Sequence, residues 1–301
     1  PDSVKKIGSG AFFGCRGLTS IAIPDSVTSI GKCAFAGCRG LTSITIPSSA
    51  TSIDYSAFCG CRGLTSINVD EGNKYYKSID GVLFTKDETE LIQYPIGRKA
   101  TNYTIPNSVT SIGSSAFEDC TGLTSVTIGI GVKEIGSRAF AGCTGLTSIT
   151  IPDSVTEIGD YTFSGCTGLT SINIPDSVTS IGKCAFYVCT GLKSIIVDKG
   201  NQYYKSIDDI LFSKDGTKLI QYPVGKEETN YIIPDSVTSI GNCAFCACTG
   251  LTSVTIGNGV KNIGECAFSC CTGLTSVNIP NSVKSIGENA FFKCNAQIYR
   301  K

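Results

Sequence analysis

Apolar and polar residues alternate in short bursts along this chain, and the bursts return with a period of 23 residues. A typical stretch, residues 41–46, reads L-T-S-I-T-I, which directs Leu and Ile inward and Thr and Ser outward, as in a strand with one buried face. The segment S-V-x-x-I-G predicts a second short extended stretch, after which Gly turns the chain. The A-F-x-x-C run that follows is too short for a stable helix and predicts a single 3₁₀ or α turn. Each period therefore predicts one coil of two short strands and a turn.

This repetition organises the whole chain. Phe holds the twelfth place and Ile the seventh in all ten short units, and Gly holds the eighth in nine of them. Two longer units of 36 residues, 70–105 and 198–233, lie 128 residues apart, which indicates that a block of five units was duplicated. We call these two the variant units. The short units begin at residues 1, 24, 47, 106, 129, 152, 175, 234, 257 and 280.

A coil of this kind cannot bury its own apolar side, so it must stack on coils like itself. Identical places then meet at a strand spacing of about 4.7–4.9 Å and form ladders of like residues. We predict a β-rich solenoid: a single right-handed curved superhelix of about twelve stacked coils with parallel strands and short 3₁₀ or helical turns. One domain is expected to run continuously over residues 1–301. Because the first residues are already in phase with the repeat, we expect the chain to be a fragment of a longer protein.

The repeat phrase I-P-x-S-V-T-x-I-G-x-x-A-F-x-x-C-x-G-L-T-S-I resembles the BspA-like subclass of leucine-rich repeats, and the resemblance covers the whole chain. The variant units, with G-N-x-Y-Y-K-S-I-D-x-x-L-F and L-I-Q-Y-P, resemble the interspersed variant repeats of the same family. The resemblance implies an extracellular or cell-surface protein that adheres to host proteins or to other cells. It supplies no catalytic residues to transfer.

Composition removes several classes of function. Lys plus Arg and Asp plus Glu both number 25, so no net charge attracts the chain to nucleic acid or anionic lipid. No apolar run approaches the ~18–20 residues that cross a bilayer, so we expect no membrane insertion within this segment. His is absent, which removes the commonest general base and the commonest metal ligand. We therefore expect no enzyme, no cofactor and no metal site.

The 17 cysteines are locked to the repeat. Stacked neighbours would have Cβ atoms about 4.8 Å apart, beyond the ~3.5–4.5 Å of a disulfide, so most or all thiols are expected to be reduced. The pairs Cys59/Cys61 and Cys246/Cys248 are the remaining metal or redox candidates. Ten cysteines share the fifteenth place and are predicted to form a structural ladder of small buried side chains: Cys15, Cys38, Cys61, Cys120, Cys143, Cys166, Cys189, Cys248, Cys271 and Cys294.

Two surfaces are candidates for a protein partner. The variant units hold eight of the twelve tyrosines and 22 of the 50 charged residues, a composition that favours interfaces. The candidate contacts there are Tyr75, Tyr76, Tyr94, Tyr203, Tyr204 and Tyr222, with Ile196 as an exposed apolar neighbour. The second surface is the outward Thr and Ser of the longer strands, represented by Thr45, Thr127, Thr150 and Thr255.

These features favour a non-catalytic, surface-displayed module that binds a protein partner in protein–protein or cell-adhesion contacts. One alternative is a passive stalk that holds another domain away from a surface. Another is recognition of carbohydrate or ordered water by the Thr and Ser track. The sequence specifies neither the partner nor the oligomeric state.

Overall fold

The computed structural model describes residues 3–300, and the chain divides into two compact units, Pro1–Leu146 (unit 1) and Thr147–Lys301 (unit 2). Each unit is a β-solenoid of stacked coils with parallel strands, as predicted, and residues 3–300 contain no helix. The strands of unit 1 are β1 (Lys6–Ile7), β2 (Ser29–Ile30), β3 (Ser43–Ile46), β4 (Ser52–Ile53), β5 (Ser66–Val69), β6 (Tyr76–Ile79), β7 (Val82–Thr85), β8 (Glu90–Gln93), β9 (Asn102–Thr104), β10 (Ser111–Ile112), β11 (Ser125–Thr127) and β12 (Glu134–Ile135). Those of unit 2 are β13 (Ser148–Thr150), β14 (Glu157–Ile158), β15 (Ser171–Ile174), β16 (Ser180–Ile181), β17 (Ser194–Val197), β18 (Tyr204–Ile207), β19 (Ile210–Ser213), β20 (Lys218–Gln221), β21 (Asn230–Ile232), β22 (Ser239–Ile240), β23 (Ser253–Thr255), β24 (Asn262–Ile263), β25 (Ser276–Ile279), β26 (Ser285–Ile286) and β27 (Gln297–Arg300).

The register follows the repeat, because each place pairs with the same place of the next coil. Ile7 lies opposite Ile30, and Ile30 opposite Ile53, along the parallel strands β1, β2 and β4. The longer strands pair in the same way: β3 with β5 in unit 1, and β15 with β17 in unit 2. Each coil thus contributes a two-residue strand and a longer strand to different sheets, and the inward residues of both are part of the apolar core.

The core is built around stacked phenylalanines at the twelfth place. The Phe12 and Phe35 rings are 5.1 Å apart with planes 2° from parallel, and Phe268 and Phe291 are 5.3 Å apart at 3°. Their backbones are bonded between coils too, since the Phe35 amide donates to the Ala57 carbonyl at 2.9 Å. The ladder predicted from the sequence is thus a continuous packing element within each stack of short units.

The turn after the seventh place differs from the predicted 3₁₀ or helical turn. Residues at the tenth and fourteenth places have left-handed backbone in all ten short units, as at Cys33 (φ 55°) and Gly37 (φ 75°). A left-handed residue ends any right-handed helical turn, so the segment forms successive hydrogen-bonded turns instead. Gly at the fourteenth place of five units was the sequence signal for this geometry. Val188 adopts it as a β-branched residue (φ 55°), which costs about 1–2 kcal/mol.

Cysteines at the fifteenth place point into the coil stack. The Cys61 Sγ donates to the Phe35 carbonyl at 3.0 Å, and the Cys271 Sγ donates to the Phe245 carbonyl at 2.9 Å. Burial raises the pKa of the Cys61 thiol to about 12. Eight of the ten are buried, whereas Cys15 is exposed and Cys294 is half-buried. The buried thiols occupy the small space under the neighbouring coil and bond weakly to its backbone.

One pair of cysteines escapes the spacing argument made from the sequence. Cys184 and Cys243, both at the tenth place, form a disulfide with their Cα atoms 5.4 Å apart. A whole variant unit lies between them in sequence, but the turn of that unit is short. Only two residues, Ile220 and Gln221, separate Leu219 at the seventh place from the residue at the twelfth place, whereas short units have four residues there. The turns on either side therefore meet directly. The same contact in unit 1 joins Ser56 and Ser115, whose hydroxyl oxygens are 3.4 Å apart.

Thiol counting in denaturant tests this arrangement. We expect 15 reduced thiols before treatment with reductant and 17 after it. The Cys184→Ser/Cys243→Ser variant recreates the serine pair of unit 1 and should show the same count before and after reduction. Detection of all 17 thiols without reductant, or of a second disulfide, would contradict the structure.

Glycine at the seventeenth place provides a test of coil stacking. A Cβ at Gly273 would lie 2.2 Å from the Thr249 carbonyl oxygen, whereas a Cβ at Gly250, above the variant unit, would be 3.9 Å from the nearest atom, the Lys226 carbonyl oxygen. We expect Gly273→Ala to lower the free energy of unfolding by about 1–3 kcal/mol, because the coils must move apart. The matched Gly250→Ala variant should unfold within about 0.5 kcal/mol of wild type in urea titrations. Equal destabilisation of both variants would refute close stacking as the reason for this glycine.

Candidate partner-binding surface

Each variant unit contains a three-stranded antiparallel meander. In unit 1, β6 pairs with β7 and β7 pairs with β8. In unit 2, β18, β19 and β20 repeat the arrangement. The second and third strands form a hairpin around Lys86 or Lys214, and the first strand precedes that hairpin. The last strand of the meander, β8 or β20, rejoins the parallel stack through β10 or β22.

A buried asparagine fastens the meander to the preceding coil. Asn201 donates from Nδ2 to the carbonyls of Pro175 and Val178 at 2.8 and 3.0 Å, and its Oδ1 accepts from the amides of Tyr203 and Tyr204 at 2.8 Å each. Asn73 makes the same four bonds in unit 1. The G-N-x-Y-Y motif thus fixes where the two tyrosines leave the coil.

Tyr94 and Tyr222 do not belong to a surface, which corrects the prediction for these two residues. Both are 1% exposed, and the Tyr222 ring stacks on Phe245 at 5.2 Å as Tyr94 stacks on Phe117 at 5.1 Å. Because the variant turn is shorter, these tyrosines fill the twelfth place of the phenylalanine ladder. Aligning the motif L-I-Q-Y-P with the short repeat places its tyrosine at the twelfth place, and this alignment could have assigned both residues to the core.

Tyr76 and Tyr204 are half-buried and have a structural contact. The Tyr76 hydroxyl accepts from the Ile53 amide at 3.0 Å, and the Tyr204 hydroxyl accepts from the Ile181 amide at 3.0 Å. Within residues 3–300, no strand of a following coil pairs with these amides, so without the tyrosine hydroxyls they would lack a hydrogen-bond acceptor. Burial raises the pKa of both tyrosines.

Tyr75 and Tyr203 are the predicted contacts that face outward. They are 53% and 52% exposed and occupy equivalent places in the two variant units. Ile196, predicted as an exposed apolar neighbour, is 48% exposed. Each of these side chains presents a large apolar surface on an otherwise polar coil.

The threonine track forms as a row along the longer strands. Thr45, Thr127, Thr150 and Thr255 are all exposed. Strand pairing extends this row of polar side chains from one coil to the next. Thr45 lies opposite Asn68, and Thr255 lies opposite Asn278 on one side. On its other side Thr255 lies opposite Ile232, which is 71% exposed and was not identified from the sequence.

Unit 2 also has a groove of about 640 Å³ along its two-residue strands. Lys183, Lys218, Glu265 and Glu288 supply its charged groups, and Ser239 is among its polar ones. Sequence reasoning placed no candidate on this face, because it treated the S-V-x-x-I-G segment only as core and turn.

The pairs Cys59/Cys61 and Cys246/Cys248, the metal or redox candidates from the sequence, contain thiols whose pKa values are raised. The pKa of Cys59 is raised to about 12 by burial and by Glu118, whose Oε2 accepts from the Cys59 Sγ at 3.3 Å. Burial likewise raises the pKa of Cys246 to about 11. A thiolate is the nucleophilic and metal-binding form, so these thiols are protonated and unreactive at neutral pH. Over residues 3–300, no group of three or more His, Cys, Asp or Glu side chains is placed to hold a metal ion, and no helix is capable of crossing a membrane.

Comparisons with known proteins agree with the coil architecture. The structure is similar to the pneumococcal vaccine antigen PcpA, with a TM-score of 0.59 and 22% identity over 100% of this chain and 78% of that one. It is also similar to a leucine-rich repeat protein from Eubacterium ventriosum, with a TM-score of 0.51 and 24% identity over 97% of this chain and 80% of that one. No curated protein matches the sequence. The family model for the BspA type leucine rich repeat region matches residues 1–100, 97–218 and 225–298. The chain therefore belongs to the BspA-type leucine-rich repeat family.

Proposed function

We propose that this chain is a non-catalytic binding module of a surface-displayed protein and that it contacts a protein partner through its variant units. The observation that carries the proposal is the exposure of Tyr75 and Tyr203 at equivalent places of the duplicated block. The six other tyrosines of the variant units are buried or half-buried. Exposed tyrosine with mixed charge around it is the composition that protein interfaces favour.

Support for surface display comes from the family to which the chain belongs. The absence of His from the sequence and the raised thiol pKa values support a non-catalytic role. The solenoid itself is suited to binding, because each added coil extends the surface without requiring a larger core.

A second candidate function is carbohydrate recognition by the threonine track. It is favoured by the exposure of Thr45, Thr127, Thr150 and Thr255 on strands whose register is fixed. Hydroxyl groups repeated at strand spacing, about 4.8 Å, are suited to hydrogen bonding along an extended glycan.

Binding to matrix-protein and glycan arrays tests the proposal. The Tyr75→Ala/Tyr203→Ala variant should bind its protein ligands at least about ten-fold more weakly than wild type, because exposed aromatic anchors dominate interface energies. Tyr76 and Tyr204 are left intact, since their hydroxyls accept backbone hydrogen bonds. Tyr299→Ala, at a tyrosine that is 49% exposed outside the variant units, is the matched control and should bind like wild type.

The other outcomes assign the alternatives. Loss of binding only in a variant with Thr45, Thr127, Thr150 and Thr255 changed to Val would support the track, and Val keeps the strand propensity. A wild-type chain that binds nothing at micromolar concentration on either array would refute a binding role and leave the passive stalk.

A further inference from the structure

The two variant units differ at the surface around the turn between their first two meander strands, which are β6 and β7 in unit 1 and β18 and β19 in unit 2. This difference predicts a partner. Three isoleucines of unit 2 are exposed there: Ile196 (48%), Ile207 (40%) and Ile232 (71%). The equivalent residues of unit 1, 128 positions earlier, are Asn68, Ile79 and Thr104. The duplicated block thus has three exposed isoleucines in one copy, where the other copy has one isoleucine and two polar residues.

Hydrogen bonds hold the turn that contains Ile207 against β17, next to Ile196. Ile195 donates its amide to the Asp209 carbonyl at 2.9 Å, and Val197 donates its amide to the Ser206 Oγ at 3.0 Å. The tip containing Ile207 therefore lies along β17 beside Ile196. On the other side of the tip, Lys226 leads towards β21 and donates to the Asp208 carbonyl at 3.0 Å.

Ile232 occupies the place on β21 that Ile196 occupies on β17. Ile196 pairs with Asn173 of the preceding coil, and Ile232 pairs with Thr255 of the following one. Asp208 also lies near Tyr231: the pKa of Tyr231 is raised to about 12, first by burial and then by the Asp208 charge. Ile196 and Ile232 therefore interrupt the row of polar side chains on the longer strands of unit 2, and together with Ile207 we call them the isoleucine patch.

The border of the isoleucine patch is acidic. It comprises four acids and two lysines, a net charge of −2: Asp208, Asp209, Glu227, Glu228, Lys193 and Lys226. Lys226 is only 10% exposed and pairs with Glu228 at 3.3 Å and Asp209 at 3.9 Å, so the outward charge is mostly carboxylate. Lys193 pairs with Glu227 at 2.6 Å.

The corresponding border of unit 1 has the opposite sign. Asp80, Arg98 and Lys99 are its charged residues, giving a net charge of +1, because Thr65, Gly81 and Ala100 replace charged residues of unit 2. Apolar content and border charge therefore both differ between two otherwise equivalent surfaces.

Resting on the proposed function, we propose that the isoleucine patch binds an extended protein segment that alternates apolar with lysine or arginine side chains. The apolar side chains would bury Ile196, Ile207 and Ile232, and the cationic ones would meet the carboxylates of the border. Desolvation of exposed isoleucine supplies the affinity, and charge complementarity selects basic over acidic segments.

Three synthetic 12-residue peptides serve as probes. All carry valine at alternate positions, and the remaining positions are lysine, glutamate or serine. Calorimetric titration into the full chain should give at least ten-fold tighter binding of the lysine peptide than of the glutamate peptide. The preference should diminish at high salt, since exposed charges are screened.

Unit 1 provides the substitutions for the test. Ile196→Asn/Ile232→Thr installs the unit 1 residues and should weaken the lysine peptide at least ten-fold with unchanged thermal unfolding. Asp209→Gly/Glu227→Lys/Glu228→Ala should remove or reverse the preference for lysine over glutamate. Asn68→Ala/Thr104→Ala, at the same places in unit 1, should change neither.

Three results would overturn the inference: no preference for the lysine peptide, equal binding by the Ile196→Asn/Ile232→Thr variant, or wild-type self-association in sedimentation that this variant abolishes. The last would mean that a second copy of the chain covers the patch. The array experiment on Tyr75 and Tyr203 is read separately. If the wild-type chain binds protein ligands on the array but does not prefer the lysine peptide, this inference alone is refuted. If it binds no ligand on the array, the proposed function is refuted.

Discussion

Backbone hydrogen bonding from one coil to the next is the constraint on which the rest of this structure depends. A coil of 23 residues has no helix and no sheet of its own, so its amides and carbonyls must find partners in neighbouring coils. The donation from the Phe35 amide to the Ala57 carbonyl recurs where one short unit follows another, as from Phe12 to Ala34 and from Phe245 to Ala267, and it fixes the coil spacing. Once that spacing is set, any residue meets its own counterpart. Phenylalanine stacks on phenylalanine, and glycine is required where a carbonyl of the preceding coil leaves no room for a Cβ.

The variant units show what happens when one coil departs from this register. Their short turns remove the tenth place, and the coils on either side fill the gap by contacting one another, through a disulfide in unit 2 and a hydroxyl pair in unit 1. Their extra residues form hairpins whose first turn lies along β5 or β17. The last strand of each variant unit, β9 or β21, then pairs only with later coils. A change in unit length therefore creates both a new covalent contact and a new surface.

Most of the fold could be predicted from the sequence because identical places were visible in ten copies. The strands, their parallel register and the inward direction of Phe, Ile and Leu all follow from the period. The left-handed tenth place could not be predicted, because residues as different as Cys33, Arg138 and Tyr161 occupy it and only one short unit has Gly there. The disulfide was missed for a related reason. Neighbouring coils were assumed to be neighbours in sequence, and the shortened turn breaks that assumption at Cys184 and Cys243.

The candidate surface was less predictable than the fold, since tyrosine is suited to both core and interface. Composition alone grouped Tyr94 and Tyr222 with Tyr75 and Tyr203, although the first two replace phenylalanine in the ladder. Position relative to the repeat separates the two classes, and it also identifies Ile232, which no local pattern marks. In a duplicated solenoid the places under stacking constraint must agree between copies. The places that differ in polarity, as at Ile196 and its counterpart Asn68, are free of that constraint. Differences between copies therefore mark the surfaces on which binding can be specified without disturbing the fold.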